Sequence, residues 1–326
     1  IWFYNVDYSV IENVWVYDTE DNGIYLAYSD NNLITKNTTQ DIGDGSGYDD
    51  SGIYLLSSNN SVFSENNFSD NLYACYYITG GKNLTIENEI ISNNPGLGIL
   101  TYVDNENISI INNTISNNQN YGLHLYEFNR GTIEGNIIVN NSYEGIAFVN
   151  GGHLTRIIGN NISNNGRSGI DLSKNGAGIW KGADDFAVKI ENNNIIGNDG
   201  VGIELHSPTV PSAIINNNTI VNNELGIFPF YYSDFTNNII ENNTYDALVT
   251  DSFEDGYYDY GIGESVVLNG SSVGNLTFTK PNGDTESLNF SDNSLTYTPD
   301  MKGIYNITGN YTDNKGNSYK LSLIHI

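Results

Sequence analysis

Four side chains in this sequence have the types and spacing that acid–base chemistry on a sugar chain requires. Asp171 and Glu204 occupy the same place in two successive repeats, His124 falls in that column further up the chain, and His206 stands two residues beyond Glu204. Two carboxylates about 5 Å apart suit a retaining glycosidase, one as nucleophile and the other as acid. Histidine adds a base that titrates near neutral pH. If the repeats stack as strands, the backbones of Asp171 and Glu204 lie ~4.8 Å apart. The competing reading of the same four residues is a solvated polar patch. Metal chemistry has less to work with. The four histidines are scattered, and one cysteine and one methionine make no soft-metal site. Asp41, Asp44, Asp49 and Asp50 gather among glycines, an oxygen-rich composition that suits Ca²⁺. They lack the alternating aspartates of a known calcium loop, so the main expectation is a solvated loop with no cofactor, and calcium is the alternative.

Aromatic residues carry a different chemistry. Tyr25, Tyr54, Tyr76, Tyr102, Tyr126, Phe228 and Phe230 fall in columns expected to face outward, and Trp180 sits in an inserted loop. Rings on a flat sheet offer stacking surface and hydroxyls at low entropic cost, which suits a polysaccharide or a protein partner. The alternative is rings that stack across neighbouring strands and only stabilise the sheet.

All of these positions depend on one repeated unit. It restarts at Gly23, Gly52, Ala74, Gly98, Gly122, Gly145, Gly169, Gly202, Gly226 and Ala247, in steps of 29, 22, 24, 24, 23, 24, 33, 24 and 21 residues. A period in the twenties is the mark of a solenoid. An aliphatic residue follows each restart, as in Ile24, Ile53, Ile99, Leu123, Ile146, Ile170 and Ile203, and the next inward residue comes two positions later. Alternation with period two means strand. A second short strand follows, and a third carries Phe68, Ile91, Ile115, Ile138, Ile162, Ile196, Ile220 and Ile240. Three short strands per turn with no helix predict a right-handed parallel β-helix of about ten coils, the hand following from parallel crossovers. Asparagines two residues before the third-strand apolar residue (Asn66, Asn113, Asn136, Asn160, Asn194, Asn218, Asn238) and two after it (Asn93, Asn117, Asn140, Asn164, Asn198, Asn222, Asn242) predict stacked amide ladders. Asparagine and the restart glycines are also expected to supply left-handed corners. Cys75 is expected in the inward aliphatic column as a small core residue.

Two insertions interrupt the repeat, Thr38 to Ser51 and Ser173 to Ala187, and loops on one face of a solenoid are frequent binding sites. After about Phe253 the pattern changes to short strands around Val267, Phe278, Phe290, Tyr297, Ile307 and Tyr319, with turns at 281–284 and 313–316. The expected domains are a β-helix over 1–252 and an Ig-like β-sandwich over 253–326, an all-β chain throughout. Strand pattern at Ser9-Val10-Ile11 suggests an internal fragment of a longer chain, and the final residues, LSLIHI, resemble translated adapter read-through.

Composition limits the partners. The 326 residues carry 39 acidic and 12 basic side chains, a net charge of −27. That argues against nucleic acid and against an anionic membrane surface. No apolar run is long enough to span a bilayer, so direct membrane insertion is not expected. Fifteen Asn-x-Ser/Thr sequons, among them Asn67, Asn107, Asn161, Asn275 and Asn306, are compatible with an extracellular, cell-surface location.

The GI-x-L…N-x-I-x-x-N units resemble the β-helix repeats of large adhesin-like surface proteins common in methanogenic archaea, and YTPDMKGIYNITGNYTDNKGN resembles the Ig-like modules that follow them. The resemblance covers roughly residues 5–320. It implies a non-enzymatic surface protein that presents its Tyr-rich face to a cell-surface glycan or protein. The alternative is a polysaccharide lyase or hydrolase acting on an acidic polysaccharide. Gly151-Gly152-His153 and Asp184-Asp185 resemble pieces of polygalacturonase motifs, but in reversed order, and the Arg-Ile-Lys element of that family is absent, Arg156-Ile157-Ile158 being the nearest stretch. No catalytic role is carried over from it.

Overall fold

A computed structural model describes residues 1–45, 47, 50–172, 188–205, 213–228, 234–244, 266–272, 275–291, 294–298, 304–313, 316, 318–321 and 324–325. Each repeat supplies three short strands, and the strands of successive repeats pair in parallel. Two ten-stranded sheets run the length of the solenoid, and a third is built the same way. The first sheet includes Ile24–Ala27, Ser51–Leu56, Ala74–Thr79, Leu97–Thr101, Leu123–Tyr126 and Ile146–Val149. The second includes Val62–Ser64 and Thr85–Glu87, and the third Asn67–Ser69 and Ile90–Ser92. The result is an all-β, right-handed parallel solenoid.

The core is a set of columns. Ile99, Leu123 and Ile146 are register partners on successive coils, and all three are buried in one continuous cluster. Each such side chain contributes about 1.5–3 kcal/mol, and only against the coils on either side. One column differs from expectation by one residue. Ala74 pairs with Ser51 and Tyr76 with Ile53, so Cys75 stands at the restart-glycine position and Tyr76 in the aliphatic column. Cys75 is buried, but at the corner and not in that column. Counted through Cys75, the two steps around it become 23 and 23.

The restart glycines are needed for close approach. None of those at 23, 52, 98, 122, 145, 169, 202 or 226 has a positive φ. A Cβ at Gly98 would instead meet the Gly122 carbonyl oxygen at 2.3 Å and Ile115 Cγ2 at 2.9 Å. The left-handed corners lie elsewhere, in four columns per coil. One runs Asp18, Asp41, Asp70, Asn93, Asn117, Asn140, Asn164, and another includes Asn83, Asn107, Arg130 and Leu154. The second set of asparagines in the sequence pattern is therefore a set of corners, except Asn198, which is a ladder rung as expected because Gly197 takes the corner in that coil. The amide ladder uses the next residue: Asn71, Asn94, Asn118, Asn141, Asn165, Asn198, Asn223 and Asn243. The other ladder runs Asn37, Asn66, Glu89, Asn113, Asn136, Asn160, Asn193, Asn218 and Asn238. Asn193 takes the place expected for Asn194, because Ile195, not Ile196, is the core residue of that strand. Each amide donates Nδ2 to the next coil's Oδ1 and to a main-chain carbonyl of the preceding coil, as Asn136 does to Asn160 at 2.9 Å and to the Ile110 oxygen at 2.9 Å.

The C-terminal region is antiparallel. Leu276–Thr279 pairs with Thr285–Leu288 across a turn closed by Gly283 N to Lys280 O at 2.9 Å. Ile304–Asp313 pairs with Val266–Ser272, Leu276–Thr279 and Ser318–Leu321. Ser318–Leu321 also adds in parallel to Ile239–Glu241, the last solenoid strand of the third sheet. Leu276, Phe278, Leu295 and Tyr297 join the solenoid core. The expected boundary at 252/253 lies outside the described residues.

Two stability outcomes follow. Asn136→Leu leaves its ladder neighbours with unpaired buried groups and should lower unfolding free energy by ~1–3 kcal/mol in a denaturant titration, against almost nothing for the outward-facing Asn161→Leu. Gly98→Ala forces main chain apart and should cost about 1–3 kcal/mol in the same titration.

Candidate functional site

The outer face of the first sheet carries a chain of aromatic contacts parallel to the solenoid axis. Register makes it so: residues that point outward in one coil stand directly over their counterparts in the next. Trp2 packs on Tyr25 with ring centroids 4.7 Å apart, Tyr25 on Tyr54 at 5.1 Å, and Tyr54 stacks on Tyr77 at 4.7 Å. Tyr77 reaches Tyr102 at 6.5 Å, and Tyr102 reaches Tyr126 at 5.8 Å. Tyr73 flanks Tyr77, and Tyr121 stacks on His124 at 4.1 Å and leans on Tyr143 at 5.2 Å. The Arg167 guanidinium covers the Tyr143 ring at 4.3 Å and closes the track with a cation–π contact. Tyr73, Tyr77, Leu97, Leu100, Tyr102, His124 and Tyr126 line a cavity of about 290 Å³ within it.

Of the expected aromatic residues, Tyr25, Tyr54, Tyr102 and Tyr126 lie on this track. Phe228 also points outward, as the register partner of Glu204. Tyr76 does not belong to it. Its ring is fully buried, edge-on to Phe63 and tilted against Phe68 inside the solenoid. Tyr77 takes the outward place, because the strand Ala74–Thr79 runs one residue out of step with its glycine-led neighbours. Tyr73, Tyr121 and Tyr143 were missed because they precede the restart. Their own spacing, 48 and then 22 residues, or about two repeats and one, was the available signal. Trp180 and Phe230 lie outside the described residues.

The acid–base set is brought together only in part. Asp171 and Glu204 are register partners on adjacent coils. Ala147 stands between His124 and Asp171 in the same column, so the imidazole is two coils away from the nearer carboxylate. Asp171 is 1% exposed. Glu204 accepts a 2.8 Å hydrogen bond from the Ser168 hydroxyl. The Asp171 carboxylate is thus enclosed, and that of Glu204 is held by a neighbouring coil. Glu144, nearly buried, approaches Arg167 at 3.9 Å. His206 and the Asp184-Asp185 pair lie outside the described residues.

His153, of the Gly-Gly-His stretch, sits in a second cavity of about 270 Å³ at a corner, with Asp104, Glu106, Asn129 and Arg130. Burial lowers its pKa. Arg130 and Lys82 are paired there with Glu106 and Asp104 at 3.4 and 2.9 Å.

The aspartates considered for calcium have structural places. Asp41 is a left-handed corner, and Asp44 is exposed. Asp50 is buried and accepts the main-chain amides of Asp44 and Gly47, which folds the loop around it. Asp49 lies outside the described residues. Among the described residues no three His, Cys, Asp or Glu side chains gather as a metal site, and no helix is long and apolar enough to cross a membrane.

Residues 44–186 match the family described as right handed beta helix region. Among solved structures the chain is similar to the A-module of the Azotobacter vinelandii mannuronan C-5 epimerase AlgE6, at 15% identity and a TM-score of 0.57, covering 72% of this chain and 70% of that one. It is also similar to the periplasmic alginate epimerase AlgG, at 14% identity and a TM-score of 0.51, covering 71% of this chain and 51% of that one. The chain therefore spans about half the length of AlgG. The surface adhesin PfbA of Streptococcus pneumoniae is matched over 88% of this chain and 79% of that one, at 14% identity and a TM-score of 0.46. No curated protein matches the sequence. At these identities the likeness is one of fold.

The two neighbouring tyrosines should separate the solenoid core from the smaller apolar cluster on its outer face, in which Tyr77 is only 7% exposed. Tyr76→Ser empties a packed core position and should cost ~3–5 kcal/mol. Tyr77→Ser should cost less than half as much. Urea unfolding of the two variants measures both, and equal losses would mean that the outer cluster around Tyr77 packs as tightly as the solenoid core.

Proposed function

We propose that this protein is a non-enzymatic, cell-surface glycan-binding protein that holds a polysaccharide along the aromatic track. The observation that carries this reading is the unbroken series of ring contacts from Trp2 through Tyr25, Tyr54, Tyr77 and Tyr102 to Tyr126, along a face that a solenoid needs only for pairing. Rings spaced by the coil repeat offer a linear polymer a succession of stacking sites, each worth on the order of 0.5–1.5 kcal/mol. Many weak contacts in line give retention that grows with ligand length. The fold is compatible with the reading, since solved structures of similar fold include polysaccharide epimerases, which handle long sugar chains. In this reading the antiparallel C-terminal region is an Ig-like spacer that covers the solenoid end, and the chain is displayed outside the cell.

A second reading, a lyase or hydrolase of an acidic polysaccharide, draws on the register pairing of Asp171 with Glu204. Against it stand the burial of Asp171, the two-coil gap to His124, and a net charge of −27 that repels polyuronates.

The test is a screen of the purified protein against neutral and uronate polysaccharides, following retention, reducing ends and unsaturated products. Retention without products is expected, lost when Tyr54, Tyr77, Tyr102 and Tyr126 are replaced together by Ser. Product formation that disappears in Asp171→Asn with Glu204→Gln would establish the enzyme instead.

A further inference from the structure

One rung of the first ladder is not an amide. Glu89 stands between Asn66 and Asn113, where every other described rung from Asn37 to Asn238 is asparagine, and it is 1% exposed. Its Oε1 accepts from Asn66 Nδ2 at 2.9 Å, as an amide oxygen would. On the other side only its main-chain nitrogen donates to Asn113 Oδ1, at 2.9 Å. An asparagine there would donate Nδ2 as well, as Asn113 does to Asn136 at 3.0 Å. A carboxylate has no hydrogen to give, and Glu89 Oε2 is buried without a completed hydrogen bond. The Tyr76 hydroxyl is in the same condition. The Tyr76 ring packs on Phe63 and Phe68, which flank Asn66, the hydrogen-bond partner of Glu89, so the phenol lies toward this corner, and the two groups act on each other's proton affinity.

A proton on Glu89 resolves the mismatch, since the acid then resembles the amide it replaces, with one oxygen accepting and one hydroxyl to donate. We propose that Glu89 and Tyr76 form a positioning pair, a protonated carboxyl in the amide ladder and the phenol facing it, which seats the strand that carries Tyr77 in the aromatic track. Tyr76 and Tyr77 are consecutive and point to opposite faces of Ala74–Thr79. Tyr77 is the ring on which Tyr54, Tyr73 and Tyr102 converge. Whatever seats Tyr76 therefore seats the middle of the track. The part of the proposal that concerns binding rests on the glycan reading above.

The surroundings favour the proton. Burial raises the carboxyl pKa to about 8, opposed by the hydrogen bond from Asn66 and by the nearby Tyr76 hydroxyl, with Glu87 of the same coil adding repulsion. The other titratable groups facing it, Tyr76 and Cys75 from the first sheet, have pKa values raised well above their ordinary ones by burial, and so stay neutral. The pH dependence has a definite sign. The folded state holds this proton more tightly than the unfolded chain, whose carboxyl titrates near the ordinary value of about 4.3. The contribution of Glu89 to stability is complete at low pH, declines as pH rises above that value, and levels off once pH exceeds about 8.

The experiment compares thermal midpoints of the wild type and Glu89→Gln from pH 5 to pH 10. The expected result is a midpoint difference that grows in favour of Gln up to about pH 8 and is constant above it. A difference independent of pH would overturn the proposal. Tyr76→Phe keeps the core filled and removes the hydroxyl. It should move the break to higher pH, because the hydroxyl stabilises the carboxylate, and an unmoved break would remove Tyr76 from the pair. At pH 9, Glu89→Gln should retain a polysaccharide bound by the wild type at pH 6 several-fold better than the wild type does. Equal retention at pH 9, with the midpoint difference in place, would uncouple the pair from the track and overturn its positioning role. Absence of retention by either protein at any pH would defeat the glycan reading while leaving the midpoint comparison decisive for the pair.

Discussion

The main-chain hydrogen bond between one coil and the next is the interaction on which the rest of this structure depends. The described strands of the solenoid are two to six residues long, too short to hold alone. Stacked in parallel, each strand satisfies the amides of the coils above and below, and like positions are forced over like. The columns of Ile, the ladders of Asn and the corners in left-handed conformation all follow from that single repeat. The restart glycines belong to the same constraint. Coils spaced at hydrogen-bond distance leave no room at that corner for a methyl group between one carbonyl and the next.

The aromatic track follows from the same rule applied to the outer surface. A tyrosine that faces outward in one coil is held next to whatever faces outward in its neighbours, so a few tyrosines in register become a continuous ribbon. The carboxylates obey the rule too. Asp171 and Glu204 are adjacent because their strands pair, and Asp171 is buried. Their proximity is thus explained by the fold before any chemistry is invoked.

The architecture was legible because the period and the alternation are strong over most of the chain. Ile99, Leu123 and Ile146 stack where the pattern places them. The first ladder was read correctly at Asn66, Asn113, Asn136, Asn160, Asn218 and Asn238. Errors came where two adjacent residues could fill the same role. In pairs such as Asn93-Asn94 both residues suit a corner and both suit a rung, and only backbone geometry assigns the corner to the first. In Ala74-Cys75-Tyr76-Tyr77 there is no glycine to mark the corner, and either tyrosine could face the core. A one-residue slip in a strand reverses every side chain, which is why Tyr76 moved from the surface to the interior. The Glu89 rung broke the asparagine pattern, and periodicity alone assigns it nothing. The residue proposed to pair with it, Tyr76, lies on another strand of the same coil.

The ladder also bears on how long the protein lasts. Asparagine followed by glycine is the sequence most prone to lose its amide nitrogen, because the next main-chain nitrogen can attack the side-chain carbon and close a ring. Asn165-Gly166 is such a pair, on the ladder. There the Asn165 amide is held by Asn198 and by the Ile138 carbonyl, both through Nδ2. The Gly166 nitrogen, which would have to attack, is committed to the Asn141 carbonyl at 2.8 Å. Neither partner can turn toward the other without breaking the stack. The bonds that order the coils thus also protect this amide from hydrolysis, so an asparagine-rich interior can age slowly as long as it stays folded.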